Sequence, residues 1–155
     1  ADGSNLWART EMMLGASIAG MAFSNSSVAL VHGMSRPIGA YFHVHHGLSN
    51  SVLLLEAMRY SAPGAPERFA DIACAMGEEV DGRSPMSGAD RAMDAVARLL
   101  ADVEMPRLGE IGIDRDAFDA ALPQMAEDAL ASGSPANNPR QATADDIVRL
   151  YRACW

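Results

Sequence analysis

Apolar positions along this chain recur at helical intervals almost from end to end. From Leu6 to Phe23 the larger apolar residues Leu6, Met13, Leu14, Ile18 and Met21 are interleaved with Gly15, Ala16, Ala19 and Gly20. Small residues admit a neighbouring backbone closely, so this segment is expected to be a packed central helix. Asn25 and Ser26 offer a break and an N-cap. The next stretch, Ser27 to Ala40, is apolar nearly all round, which predicts burial on most faces. Pro37 lacks an N–H and crowds the preceding turn, so it should kink this helix or end it nearby.

A short connection, Tyr41 to His46, leads into a helix from Leu48 to Tyr60. Pro63, Gly64 and Pro66 mark a turn, and Glu67 to Met76 reads as a short helix closed by Gly77. After the polar residues 78–84, Pro85 suits the first turn of a helix running to about Val103. Pro106 and Gly109 mark a loop. Asp114 caps a helix from Arg115 to Ala131 that Pro123 is placed to divide. Residues 132–140 are loop. Thr143 and Asp146 form a weakened capping box, with Asp where Glu or Gln is preferred, and open a last helix that ends at Trp155. No segment alternates with a two-residue period between turn signals. The expected fold is all-α: a multi-helix array forming a single domain over residues 1–155, without internal repeat.

Composition narrows the function. Hydrophobic residues make up 49% and charged residues 21% of the chain, a globular balance. Ten methionines against 6% aromatics suggest a pliable core. The net charge of −8, with no basic stripe, argues against nucleic acid and against an anionic membrane surface. No apolar run reaches the roughly 18 residues of a membrane span. No basic n-region precedes an apolar h-region, so no signal peptide is expected. Cys74 and Cys154 lie far apart in helical segments, which fits two reduced cysteines in a cytoplasmic protein.

The chemistry concentrates in one place. All four histidines, His32, His43, His45 and His46, fall within fifteen residues. A lone histidine on an apolar helix is commonly a satisfied core residue, but here a second cluster follows one helix and one short loop later. If the chain doubles back, His32 inside one helix faces His46 at the start of the next. Two neutral imidazoles from adjoining helices are a common half-site for a divalent metal. His43 and His45 are either solvated loop residues or extra ligands beside His46. The glycines Gly15, Gly20 and Gly33 follow no strand, so they form no dinucleotide-binding fingerprint. No serine sits in a nucleophile-elbow context.

The string HGMSRPIGAYFHVHHGLSN resembles the signature of the iron-containing (group III) alcohol dehydrogenases, where a helix bearing H-[GA]-M-x-H-x-[LI]-G is followed by a P-H-G turn. The upstream stretch MLGASIAGMAFSNSSVALVHG and the downstream NNPRQATADDIVRLYRACW are similar to that family's small-residue helix and its C-terminal loop and helix. The resemblance implies the family's C-terminal helical domain, with His32 and His46 as two ligands of a divalent metal, iron or zinc. The other two ligands, an Asp and a His of an upstream D-x-x-x-H helix, have no counterpart here. The dinucleotide-binding domain is likewise expected to be absent, so NAD(P) belongs only to a full-length or assembled form. Arg36 departs from the family, standing where many relatives carry a histidine near the nicotinamide. Arginine stays charged and cannot serve as a base; it either attracts an anionic group of substrate or cofactor, or pairs with a local acid. His45 stands where many relatives have proline. In the implied reaction, hydride transfer between alcohol and NAD(P), Tyr41 or Phe42 would line the pocket.

Three functions follow. The chain is the metal-site domain of an alcohol dehydrogenase, inactive alone; or a stand-alone helical module that binds metal or pairs with a separate dinucleotide-binding domain; or an interaction module with relic histidines. Apolar faces left uncovered by such a truncation predict a homo-oligomer, most simply a dimer.

Overall fold

The hydrophobic periodicity resolves into helices in the computed structural model, which describes residues 2–80 and 84–155. The α-helices among them are α1 (Leu6–Ser26), α2 (Leu30–Phe42), α3 (His46–Ser61), α4 (Pro66–Ala75), α5 (Pro85–Asp102), α6 (Arg115–Ala131) and α7 (Ala144–Ala153), joined by 3-10 turns at Ala62–Gly64, Leu108–Glu110 and Ser134–Asn137. No described residue lies in a strand, so the fold is all-α. The polar stretch 78–84 falls partly outside the described residues.

The main core sits where α2, α3, α6 and α7 meet. Leu30, Met34 and Ile38 recur along one face of α2 and are buried against Leu53, Phe118, Leu122, Met125, Ile147 and Tyr151. The Tyr151 hydroxyl donates to the Met34 carbonyl at 2.6 Å, so its polar tip is satisfied inside the core. A smaller core joins α4 and α5 through Phe69, Ala73, Ala89, Ala92 and Met93. Gly88 permits that approach: a Cβ there would lie 2.5 Å from Ala70.

Pro37 does not interrupt α2, which continues for five residues beyond it to Phe42. Pro37 is buried in the α2 face, and tertiary packing outweighs the missing hydrogen bond. Pro123 likewise leaves α6 undivided. The Thr143–Asp146 box is reciprocal despite its short acid: the Thr143 N–H donates to Asp146 at 2.9 Å, and the Asp146 N–H to Thr143 Oγ1 at 3.2 Å. Trp155 lies beyond α7 and packs on Phe118, ring centroids 4.7 Å apart.

One expectation fails outright. The small-residue segment is a helix, but it is not central: no residue of α1 is buried. Asn25 and Ser26 do not break it. Their side chains bond back to the carbonyls of Met21 and Ala22 at 2.7 and 3.0 Å and so remain helical. The chain breaks at Ser27, where φ is +68°, and turns by 108° into α2. α1 therefore leaves the body, and its small-residue stripe meets no facing helix among the described residues. No single described helix is long and apolar enough to cross a membrane; α1 and α2 meet that measure only as a bent pair, and half of that pair is core.

Candidate metal centre

The site begins with how α2 turns into α3. His43 ends α2 in the left-handed conformation, φ +55°, and its N–H donates to the Gly39 carbonyl at 3.0 Å. The connection 43–45 then runs back along α2. From Ser35 to Phe42 a helix rises about 10 Å, and three residues of loop cover about the same distance. The start of α3 is therefore set beside the N-terminal half of α2. The turn passes close to Gly39, where a Cβ would lie 3.4 Å from the Val44 carbonyl, an ordinary contact. The His45 side chain caps α3, Nδ1 accepting from the Gly47 N–H at 3.3 Å.

This return brings His32 and His46 together. Their ring centroids lie 5.5 Å apart with the planes inclined at 55°. Both line an open cleft of about 460 Å³ with Arg36, Val28, Phe23, Ser24 and Ser27. Its floor is α2 and α3, and the C-terminal end of α1 supplies one wall. The α1–α2 hinge is held from the far end of the chain, because Asn137 Nδ2 donates to Ser27 Oγ at 3.3 Å and to the Val28 carbonyl at 3.0 Å. The loop 137–140 is thus a structural brace, and Arg140 lies 4.1 Å over the Tyr60 ring.

Electrostatics favour neutral imidazole. Partial burial lowers the His32 pKa below the ordinary histidine value, and His46 and Arg36 push it further in the same direction. Arg36 is exposed at the cleft and has no carboxylate partner among the described residues, so the expected pairing with a local acid is not formed. His46 is held on both sides of its ring: Nδ1 lies 3.4 Å from Ser35 Oγ, and Nε2 3.0 Å from Asn50 Nδ2.

Of the residues singled out by sequence, the structure thus unites His32, His46 and Arg36. His43 and His45 are exposed and form no three-donor cluster with the pair; no group of three His, Cys, Asp or Glu able to hold a metal occurs among the described residues. Neither Tyr41 nor Phe42 lines the cleft. The Tyr41 hydroxyl donates to Asp128 at 3.1 Å, and the Phe42 ring turns inward to Phe118, centroids 6.0 Å apart. Phe23, Ser35 and Asn50 were missed by sequence reasoning. Asn50 carried a usable signal, four residues after His46 on a helix, which puts the two side chains on one face.

The family model described as "Fe-containing alcohol dehydrogenase family, C-terminal" matches residues 1–155. The chain is 42% identical over 154 residues to 1,3-propanediol dehydrogenase of Citrobacter freundii, covering 99% of this chain and 39% of that protein. It is 41% identical to lactaldehyde reductase of Escherichia coli K12, covering 94% and 37% respectively. Among solved structures, that of a 1,3-propanediol oxidoreductase superposes with a TM-score of 0.91 at 38% identity, over 99% of this chain and 39% of that one. The chain therefore spans about two fifths of the length of the relatives it matches, and it belongs to the Fe-containing alcohol dehydrogenase family as a C-terminal helical domain.

Proposed function

We propose that this chain contributes two ligands, His32 and His46, to the divalent-metal site of an NAD(P)-dependent alcohol dehydrogenase, and that the isolated chain turns over no substrate. The carrying observation is the pairing of His32 with His46 across α2 and α3, in a cleft with no third donor among the described residues. The donor set fits the group: imidazole nitrogen suits iron and zinc alike, and the surroundings of His32 favour the neutral, ligating form. Two donors fall short of a full coordination sphere, so the remaining ligands come from another segment or chain.

When held by His32, His46 and further ligands, such a metal would supply Lewis-acid chemistry at an alcohol or carbonyl oxygen. Within this chain the His32 and His46 rings line the same cleft, their centroids 5.5 Å apart. Arg36 keeps a fixed positive charge there and can attract a carboxylate or phosphate; it passes no proton. Phe23 and Val28 give the cleft an apolar wall. The uncovered apolar face of α1 supports association, most simply as a two-fold dimer, or docking of a separate dinucleotide-binding domain. The free thiols Cys74 and Cys154 suit a reducing, cytoplasmic setting.

The test is direct. Purified chain, loaded with Fe(II) or Zn(II), is offered NADH or NADPH with a panel of short aldehydes. No oxidation above background is expected, while metal retained on the chain should fall in His32→Ala and His46→Ala. Robust turnover abolished by His32→Ala would overturn the inactive-domain reading, and unchanged metal content in both variants would overturn the ligand assignment.

A further inference from the structure

Ser35 and Asn50 clasp His46 from opposite sides, and each also reaches a backbone carbonyl. The Ser35 hydroxyl, fully buried, donates to the His32 carbonyl at 3.2 Å. With its proton on that carbonyl, the nearer acceptor, it offers a lone pair to His46 Nδ1, 3.4 Å away. On the other side Asn50 Nδ2 donates to the His46 carbonyl at 3.0 Å. Turning the amide over would set oxygen against oxygen there. The orientation holds even though Asn50 Oδ1 is buried without a protein partner. The second N–H of Nδ2 therefore meets His46 Nε2 at 3.0 Å and requires a lone pair on that nitrogen.

We infer that Ser35 and Asn50 are positioning residues that fix His46 as the Nδ1–H tautomer, keeping the Nε2 lone pair available for a metal. The Asn50 amide selects this tautomer, and the Ser35 hydroxyl accommodates it. Ser35 also ties the backbone of one histidine to the ring of the other, so the register of α2 on α3 and the state of the His46 ring are set together. In this tautomer His46 could hold a metal through Nε2 without losing a ring proton, once the Asn50 amide had moved aside. The inference rests on the proposed metal reading for its purpose but not for its test.

Long-range 15N–1H correlation spectra of the metal-free chain report the two ring nitrogens separately. In buffer well above the ordinary imidazole pKa of about 6.5, His46 should be predominantly Nδ1–H. Asn50→Asp replaces the donor by an acceptor and should turn His46 to Nε2–H, with helicity unchanged by circular dichroism. Ser35→Ala should reduce the Nδ1–H fraction while leaving it the larger one. A majority Nε2–H form in the parent chain, or an unchanged ratio in a folded Asn50→Asp variant, would overturn the inference. Should Asn50→Asp fail to fold, the parent spectrum and Ser35→Ala still decide it. Zn(II) titration separates the two readings: the Nδ1–H tautomer without any zinc binding would sink the metal assignment and uphold this one.

Discussion

His32 shows how local surroundings set the charge state of an imidazole. It sits in the first turn of α2, half-buried, with a second imidazole and a guanidinium as its neighbours. All three influences disfavour the protonated ring, burial most strongly. Because the folded-state pKa is depressed, protonating His32 costs stability as pH falls from about 6.5 through the lower folded value, and the cost is absent above that window. We expect the His32 ring protons to titrate below the ordinary histidine midpoint by NMR, and Arg36→Met to move that midpoint upward. A midpoint insensitive to Arg36→Met would mean that Arg36 lies too far from the ring to act on it. Asp146 has the opposite origin and the usual carboxylate sign. Its hydrogen bonds from Thr143 hold its pKa at about 2, so this cap is intact above the ordinary carboxylate range and fails as pH drops toward that value. Removing the cap by Thr143→Ala should cost about 1 kcal/mol in urea unfolding, the ordinary worth of an N-cap.

At the scale of elements, the packing of α2 decides the site. Gly33 faces the 3-10 turn at Ser134–Asn137, where a Cβ would lie 2.7 Å from the Pro135 ring. Alanine is the better helix former by up to about 1 kcal/mol, yet overpacking a rigid ring costs about 1–3 kcal/mol. Gly33→Ala is therefore expected to be net destabilising and to shift the resonances of the adjacent His32; a gain in the urea midpoint would show that the turn yields freely. Much of this level was legible in the sequence. The periodicity gave every helix, and the doubling back of α2 onto α3 followed from two histidine-bearing segments joined by a short loop. The prolines misled because their cost is local, whereas the burial of Pro37 and the continuity of α6 are tertiary effects. Asn25 and Ser26 misled in the same way: residues that can cap a helix can also bond back within it. Asn50 was passed over because its significance depends on which ring atom it meets, and spacing does not carry that information.

For the whole molecule, α1 is the part that least resembles a finished fold. Leu6, Trp7, Met12, Met13 and Met21 are each more than half exposed, an apolar load that a lone surface helix does not carry without a partner. Its sequence read as a core helix for good reason, since small residues between large ones are the pattern of close helix packing; the pattern describes the helix and says nothing of where its partner is. We expect micromolar chain to sediment as a dimer, and Met13→Lys with Met21→Lys to shift it toward monomer without loss of helicity in α2 to α7. Clean monomer for the parent chain would contradict the association reading while leaving the histidine pair untouched. This chain spans 39% of the Citrobacter freundii protein.

The histidine pair is tested most directly by following all four imidazoles in 15N spectra while Zn(II) is added to the chain. His32 and His46 should shift together with one shared affinity, His43 and His45 should stay in place, and His46→Ala should abolish the response of His32. Zinc that perturbs His43 or His45 and leaves His32 and His46 unmoved would contradict the account.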